Sequence, residues 1–474
     1  MAAKTFKRGL PLPGRKHATE GKPTEAAPMP ERVVIPVNQH FGAPNKPLVA
    51  VGDRVRRGQK IADALDPGPL TVPVHASITG VVRKIEARAL SGNTDGLCIV
   101  IEADGGADEA CFMPPLDIDR CTKEEALARI REAGIIGMGG AGFPSHVKLS
   151  PPGNRPIDVV IADGAECEPY LTTDEALISE KTLTLVRGLA IVMKITGVSR
   201  AIIGMEDNKA PLIPKIERAV AEIPHPGTIE VGLCKTRYPQ GGEKLLITAL
   251  TGREVPSGGL PMDAGCIVSN VGTLAAIADA FFLGKPLIER GLTVSGGACK
   301  TPKNIQAAVG TLVSDLIPDF IDVDYGKLRK ILFGGPMMGS AVPSLAVPIQ
   351  KNTSGIILMT EGETYAEAEG PCIRCARCIR NCSCRLSPVL MNNALEAGDL
   401  EDAVRAGLLD CIECGACTYV CPARIRLVQR FRIGKNRLRA KQAAEKAREK
   451  AAEAAPRIAG TFARTAGAAI VTTL

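Results

Sequence analysis

The sequence predicts a multidomain chain in which α/β and all-β modules precede a helical, cysteine-rich carboxyl-terminal domain. Three observations predict it. The 474 residues are too many for one compact core. The middle of the chain alternates apolar strand runs with helical ones, the pattern of a mostly parallel sheet. Nine of the 16 cysteines crowd between 372 and 421.

Residues 1–32 are rich in Pro, Lys and Glu and read as an amino-terminal arm. Residues 33–115 form a small all-β module, with strand signals at VVIPV, KPLVAV, KIADAL, TVPVHA, GVVRKIEA and LCIVIEA separated by Gly-containing turns. The run VAVGDRVRRGQKIA followed by VHASITGVV resembles the biotinyl/lipoyl-type barrel-sandwich fold. No lysine stands between Asp66 and His75, where that family carries its modified residue, so the module reads as scaffold. Residues 116–288 form an α/β domain. Thr122 and Glu125 make a capping box ahead of KEEALARIREAG. A strand at 157–163, a helix around 174–195, a strand at 201–206 and a helix near 211–222 follow. Residues 289–363 return to β signals with one helix at IQAAVGTLVSDLI, which reads as a β-grasp-like module. Residues 364–432 hold the cysteine runs, and 433–474 form a basic, Ala-rich tail expected to fray.

The cysteines fall in two runs of one spacing. Cys372, Cys375, Cys378 and Cys382 form the first, and Cys411, Cys414, Cys417 and Cys421, followed by Pro422, form the second. This is the known spacing of bacterial two-cluster ligation. Three thiolates two residues apart wrap one corner of a cubane, while the fourth points away to close the other cluster. Cys372, Cys375, Cys378 and Cys421 are therefore assigned to one [4Fe–4S] cluster, and Cys411, Cys414, Cys417 and Cys382 to a second. Structural zinc is the rival reading, but it favours paired Cys-x2-Cys units or added His, and no His follows His225. Ser383 stands where Pro is usual, and Cys384 follows as an alternative fourth ligand to Cys382. The segment between the runs has helical composition, which predicts a helical two-cluster ferredoxin-like domain. The other seven cysteines are scattered and read as small buried hydrophobes, except Cys167, which lies within a motif.

GMGGAGFP at 137–144 is a glycine loop preceded by a capped helix rather than by the strand a dinucleotide fingerprint requires. It is read either as a tight turn or as backbone that approaches a flat, phosphate-bearing ligand, with Lys148 spaced to reach a phosphate. DGAECEP at 163–169 ends the strand at 157–163, where open α/β sheets bind ligands, and sets Glu166 and Glu168 about Cys167. RYPQGGEK at 237–244 and VSNVGTL at 268–274 add Gly, Glu and Asn in apolar surroundings.

Together with VIPVNQHFGAP, YLTTD and FGGPMMG, these motifs resemble the C subunit of the Rnf membrane electron-transport complex over nearly the whole chain. The middle is also similar to the flavin-bearing NADH-oxidising subunit of respiratory complex I. The resemblance implies that residues 116–288 bind FMN through Gly137, Gly139, Gly140, Gly142, Lys148, Glu166, Gly241, Glu243 and Asn270. It implies NADH beside Phe143 and Glu168, and a ligand-binding β-grasp type for 289–363. Asp163 and Ser145 depart from the usual Asn and Thr. The implied activity is reversible electron exchange between NADH, FMN and two [4Fe–4S] clusters, because hydride carries electrons in pairs and clusters take them singly. No catalytic acid or base is required.

The start MAAKTFKRGLPLPGRK lacks an apolar export region, and no run of about 18 apolar residues is present. A peripheral protein on the cytoplasmic face of a bacterial inner membrane is expected. Its partners would be other subunits of an Rnf-type complex, including an iron–sulfur subunit. The net charge of +7 is concentrated after Cys421, which reads either as a solvated helix or as docking to anionic lipid or acidic partners. Aromatic residues are 3% and Trp is absent, which argues against nucleic acid. A soluble flavin and iron–sulfur cobalamin reductase and a non-catalytic wiring subunit are the alternatives.

Overall fold

The computed structural model describes residues 2–467 except 67, 69, 93, 365 and 366. The last part of the tail, 468–474, lies outside the described residues. The chain divides into two compact units, Met1–Glu367 and Ala368–Leu474.

Within the first unit, the β module pairs all its strands antiparallel. Arg32–Pro36, Thr94–Glu102, Gly80–Leu90 and Arg54–Val55 form one sheet in that order, and Lys46–Pro47, Lys60–Asp63 and Val74–His75 form another. Alternate apolar residues such as Val33, Ile35, Ile99 and Ile101 fill the space within. The α/β domain has four parallel strands in the order Thr228–Cys234, Arg200–Glu206, Val159–Gly164 and Cys266–Asn270. The helices Thr182–Thr196 and Val271–Phe282 pack with the apolar cluster on one face, and Glu243–Thr251 packs on the other. Both faces are thus covered, which is why the central strand is a continuous apolar run.

The helix Lys123–Glu132 starts in the expected capping box, with Glu125 N–H donating to Thr122 Oγ1 at 3.2 Å and Thr122 N–H to Glu125 Oε2 at 2.7 Å. Thr122→Ala is expected to cost about 1 kcal/mol, read as a lower thermal midpoint at unchanged cofactor content.

The arm at 1–32 pairs with sheet edges, and two other expectations are corrected. Lys4 and Leu10 bridge to Cys234 and Tyr238, and Thr24–Ala26 joins Lys303–Ala308 as a parallel edge strand. Extended, Pro-rich chain lacks internal partners, and sheet edges supply them. The helix expected at IQAAVGTLVSDLI is instead the end of the strand Lys303–Ala308 and a single 3-10 turn, Val313–Leu316. A short apolar run carries no decisive period, and pairing with Glu289–Ser295 decides it. The strands of this third layer form one six-stranded mixed sheet in the order Thr24–Ala26, Lys303–Ala308, Glu289–Ser295, Gly355–Met359, Lys330–Phe333 and Ser340–Val342. Finally, the tail does not begin at 433 as a separate element. One helix runs from Leu427 to Gly467, because Ala, Lys, Arg and Glu are strong helix formers.

The second unit packs Pro388–Glu396, Leu400–Arg405 and the start of the long helix about Met391, Ala403, Leu408 and Phe431.

Candidate functional site

In the second unit the two cysteine runs are folded alike. Each run holds its third cysteine on a short helix, Cys378 on Arg377–Arg380 in one and Cys417 on Ala416–Tyr419 in the other. The backbone is left-handed at Arg374, Ala376 and Arg385, and again at the matching positions Glu413, Gly415 and Arg424. Five of these six are not glycine, so the fold holds strain where the chain wraps inward. Cys372, Cys375, Cys378 and Cys421 line one cavity. Cys382, Cys384, Cys411, Cys414 and Cys417 line the other, with Met391, Val428 and Phe431 around them. Backbone N–H groups of Leu386 and Glu413 donate to Cys382 Sγ and Cys411 Sγ, each at 3.4 Å. Burial pushes the thiols of Cys411 and Cys414 up, Cys414 to about 12. Such thiols lose their protons at neutral pH only against metal charge. Soft donors around a space, with amides aimed at sulfur, fit an iron–sulfur cluster.

In the first unit the glycine loop leaves the helix Lys123–Glu132 and closes on itself, Gly137 N–H donating to Phe143 O at 2.8 Å. Met138 N–H donates to Thr273 Oγ1 at 3.0 Å, which lays the loop over the start of the helix Val271–Phe282. Asn270 caps that helix, accepting from Gly272 N–H at 2.9 Å and donating to Asp174 Oδ2 at 2.9 Å. A Cβ on Gly139 would sit 3.0 Å from the Asn270 side chain, whereas Gly140 faces open space. The loop is therefore a backbone cradle at a helix amino terminus, a setting that suits phosphate. Asp163 is register-paired with Asn270, and burial holds its carboxyl well above the usual range, which limits the negative charge it brings.

The other expected residues separate into neighbouring groups. Lys148 and Glu243 are ion-paired with each other. Gly241 packs on the acidic motif, where a Cβ would lie 2.2 Å from Ala165 O, and its N–H donates to Cys167 Sγ at 3.3 Å. Burial also pushes the Cys167 thiol well up, so it reads as a packing group.

Glu166 has partners of its own. Its carboxylate accepts from Asp174 N–H at 3.0 Å and Lys209 Nζ at 3.4 Å, with Lys16 Nζ at 3.9 Å. Burial raises its pKa and the two ammonium groups overcome that, leaving it below the usual range. This engagement makes Glu166 a support for the loop. Glu168 accepts from the N–H groups of Met337 and Met338 at 3.0 and 2.8 Å, tying it to the FGGPMMG turn. Burial raises its carboxyl to about 7 against those two bonds. As a raised acid, it costs stability as pH rises from its unfolded value through about 7.

Sequence reasoning missed Lys16 and Lys209. Lys16 Nζ also donates to Glu166 O at 2.6 Å and Leu171 O at 2.5 Å. Nothing in LPLPGRK marks a lysine that the fold buries, so no signal was available for Lys16.

Known proteins match the chain in these same regions. Residues 4–106 match the RnfC barrel sandwich hybrid domain, 130–279 the Nuo51 FMN-binding domain and 365–447 the 4Fe-4S dicluster domain. The chain is 45% identical to the C subunit of the proton-translocating ferredoxin:NAD(+) oxidoreductase complex of Clostridium ljungdahlii, over 94% of this chain and 96% of that one. It is 39% identical to the C subunit of the Na(+)-translocating counterpart of Acetobacterium woodii, over 81% and 86%. To the C subunit of the ion-translocating oxidoreductase complex of Pseudomonas aeruginosa it is 39% identical over 93% of this chain, which spans 56% of that longer protein. A glycine cradle at 137–142 and two thiol-lined cavities thus lie in the regions matched to FMN and dicluster domains. The chain is an FMN and [4Fe–4S] oxidoreductase subunit and belongs to the RnfC family, the C subunits of the ion-translocating oxidoreductase complexes.

Proposed function

We propose that this chain exchanges electrons between NADH and the rest of a membrane Rnf-type complex, from the cytoplasmic face of a bacterial inner membrane. The observation that carries the reading is the pairing, in one chain, of a glycine cradle at a helix amino terminus with two cavities each lined by at least four thiols. FMN, when bound, supplies the conversion between a two-electron hydride and single electrons.

In this reading Gly137, Gly139, Gly140 and Gly142 admit FMN to the backbone, and Asn270 fixes the helix start beneath it. Lys148, paired with Glu243, supplies a cation for the phosphate, and Gly241 keeps the acidic motif close. Glu166 holds that motif from behind, while Phe143 and Glu168 contact NADH. Cys372, Cys375, Cys378 and Cys421 hold one cluster, and Cys411, Cys414, Cys417 and Cys382 the other. Cys382 is preferred to Cys384 because its turn repeats that of Cys421, with Arg385 and Arg424 N–H groups donating to the two cysteine carbonyls. Residues 289–363 serve as a β-grasp-like module. Among the described residues no helix is long and apolar enough to cross a membrane, which supports peripheral attachment through partner subunits. An iron–sulfur subunit is the expected electron partner. The cavity of Cys372 is rimmed by exposed Ile373, Leu390, Arg374 and Arg377, which favours an acidic one.

Anaerobic purification with metal and flavin counts tests this reading. About eight iron atoms and one FMN per chain are expected, with cluster absorbance bleached by NADH. Iron without flavin, or flavin that NADH leaves oxidised, would overturn it.

A further inference from the structure

A strand of the third layer sends a positive charge under the glycine loop. Arg290 lies on Glu289–Ser295 and is only 4% exposed. Its Nε donates to Thr353 O at 2.9 Å and its Nη1 to Met138 Sδ at 3.4 Å. Met138 stands between Gly137 and Gly139 of the loop. A Cβ added to Gly272 would lie 3.2 Å from the same Nη1, so the guanidinium stands beside the first turn of the helix Val271–Phe282. Its support is fixed in turn. Thr353 Oγ1 accepts from Gln350 N–H at 3.0 Å, and Thr353 N–H donates to Gln350 O at 3.0 Å.

This cation lacks an anion. Its hydrogen-bond partners are a carbonyl and a weakly accepting thioether, and among the described residues its remaining N–H groups have none. The carboxylates of Asp174 and Glu166 act on it only at longer range. Each is engaged elsewhere, Asp174 by Asn270 Nδ2 at 2.9 Å and Glu166 by Lys209 Nζ at 3.4 Å. Burial outweighs their attraction and leaves the guanidinium below its ordinary pKa. The amino terminus of a helix carries partial positive charge, so a further cation there is repelled. A buried cation in such a place is costly unless an anion joins it.

We infer that Arg290 is a phosphate-binding residue of the flavin site, holding the FMN phosphate at the start of the helix Val271–Phe282 together with the amides of the glycine loop. The inference rests on the flavin reading above. It adds a cation from outside the region 130–279 that matches the FMN-binding domain. Lys148, the cation of that reading, is ion-paired with Glu243 and brings little net charge. Arg290 has no such partner, and its planar fork suits phosphate oxygens better than a lone ammonium does. The third layer is then part of the cofactor site as well as a neighbouring module.

The test uses the full chain with its clusters in place and its flavin removed. Equilibrium dialysis gives dissociation constants for FMN and for riboflavin, which is FMN without the phosphate. The parent is expected to prefer FMN. Arg290→Met should weaken FMN about thirtyfold or more and leave riboflavin unchanged. Arg290→Lys, which keeps the charge without the fork, should fall between the two. The flavin-free Arg290→Met chain should melt no lower than the flavin-free parent, because the substitution removes a buried charge that has no partner. Should Arg290→Met not fold, Arg290→Gln, which keeps a donor for Thr353 O, repeats the comparison. Equal weakening of both flavins, or FMN bound as tightly as by the parent, would make Arg290 a packing group and overturn the inference. A parent chain that binds both flavins alike would overturn it while leaving the flavin reading intact. A parent chain that binds neither would overturn the flavin reading, and this inference with it.

Discussion

Exchange of Cys375 for Ala is expected to remove roughly half of the bound iron, and exchange of both Cys375 and Cys414 nearly all of it. The two residues line different cavities, so each substitution opens one and leaves the other intact. Metal-free thiols here are costly. Cys417 is buried with Met391 and Phe431 in the core of the second unit, so metal binding and folding of this unit are coupled. Visible absorbance and iron content should therefore fall together, and helical signal from the second unit should weaken. FMN content should stay near that of the parent, since every residue assigned to flavin lies within Met1–Glu367. Cys384→Ala provides the control and should keep full iron, whereas Cys382→Ala should lose roughly half. Brown, fully loaded protein after the double exchange would refute the ligand assignment.

Lys209→Met is expected to destabilise the first unit strongly. The Lys209 side chain is 0% exposed and pairs with Glu166, whose side chain is 4% exposed. Removing one member of such a pair leaves a buried charge short of a partner and costs about 3–5 kcal/mol. Lys16, at 3.9 Å from Glu166 Oε2, offsets part of this. The thermal midpoint of the first unit should drop on the order of 10 °C. Flavin should be retained less well, because the motif 163–169 ends the strand beside the glycine loop. Adding Glu166→Gln should recover part of the loss, since it removes the orphaned charge. A Lys209→Met chain that melts with the parent would show that the ammonium does not stabilise the motif.

The two sites differ in how much of them the sequence disclosed. The grouping of the cysteines about two cavities was legible because a cubane demands sulfur at set intervals along one short stretch of chain, and spacing is a property of sequence. The glycine loop and the parallel strands were legible for a similar local reason: glycine runs and apolar strand–helix alternation are written in consecutive residues. The helix expected after Ile305 failed because its apolar run suits both periods, and only its partner strand chose.

What the tertiary structure alone decided is which distant groups meet. Lys16 reaches Glu166 across 150 positions, Phe41 meets the loop at Gly142, and Glu168 is taken by the amides of Met337 and Met338. No local period or spacing encodes such contacts. They follow from the need of every buried charge and amide for a partner, which is met only when the layers close.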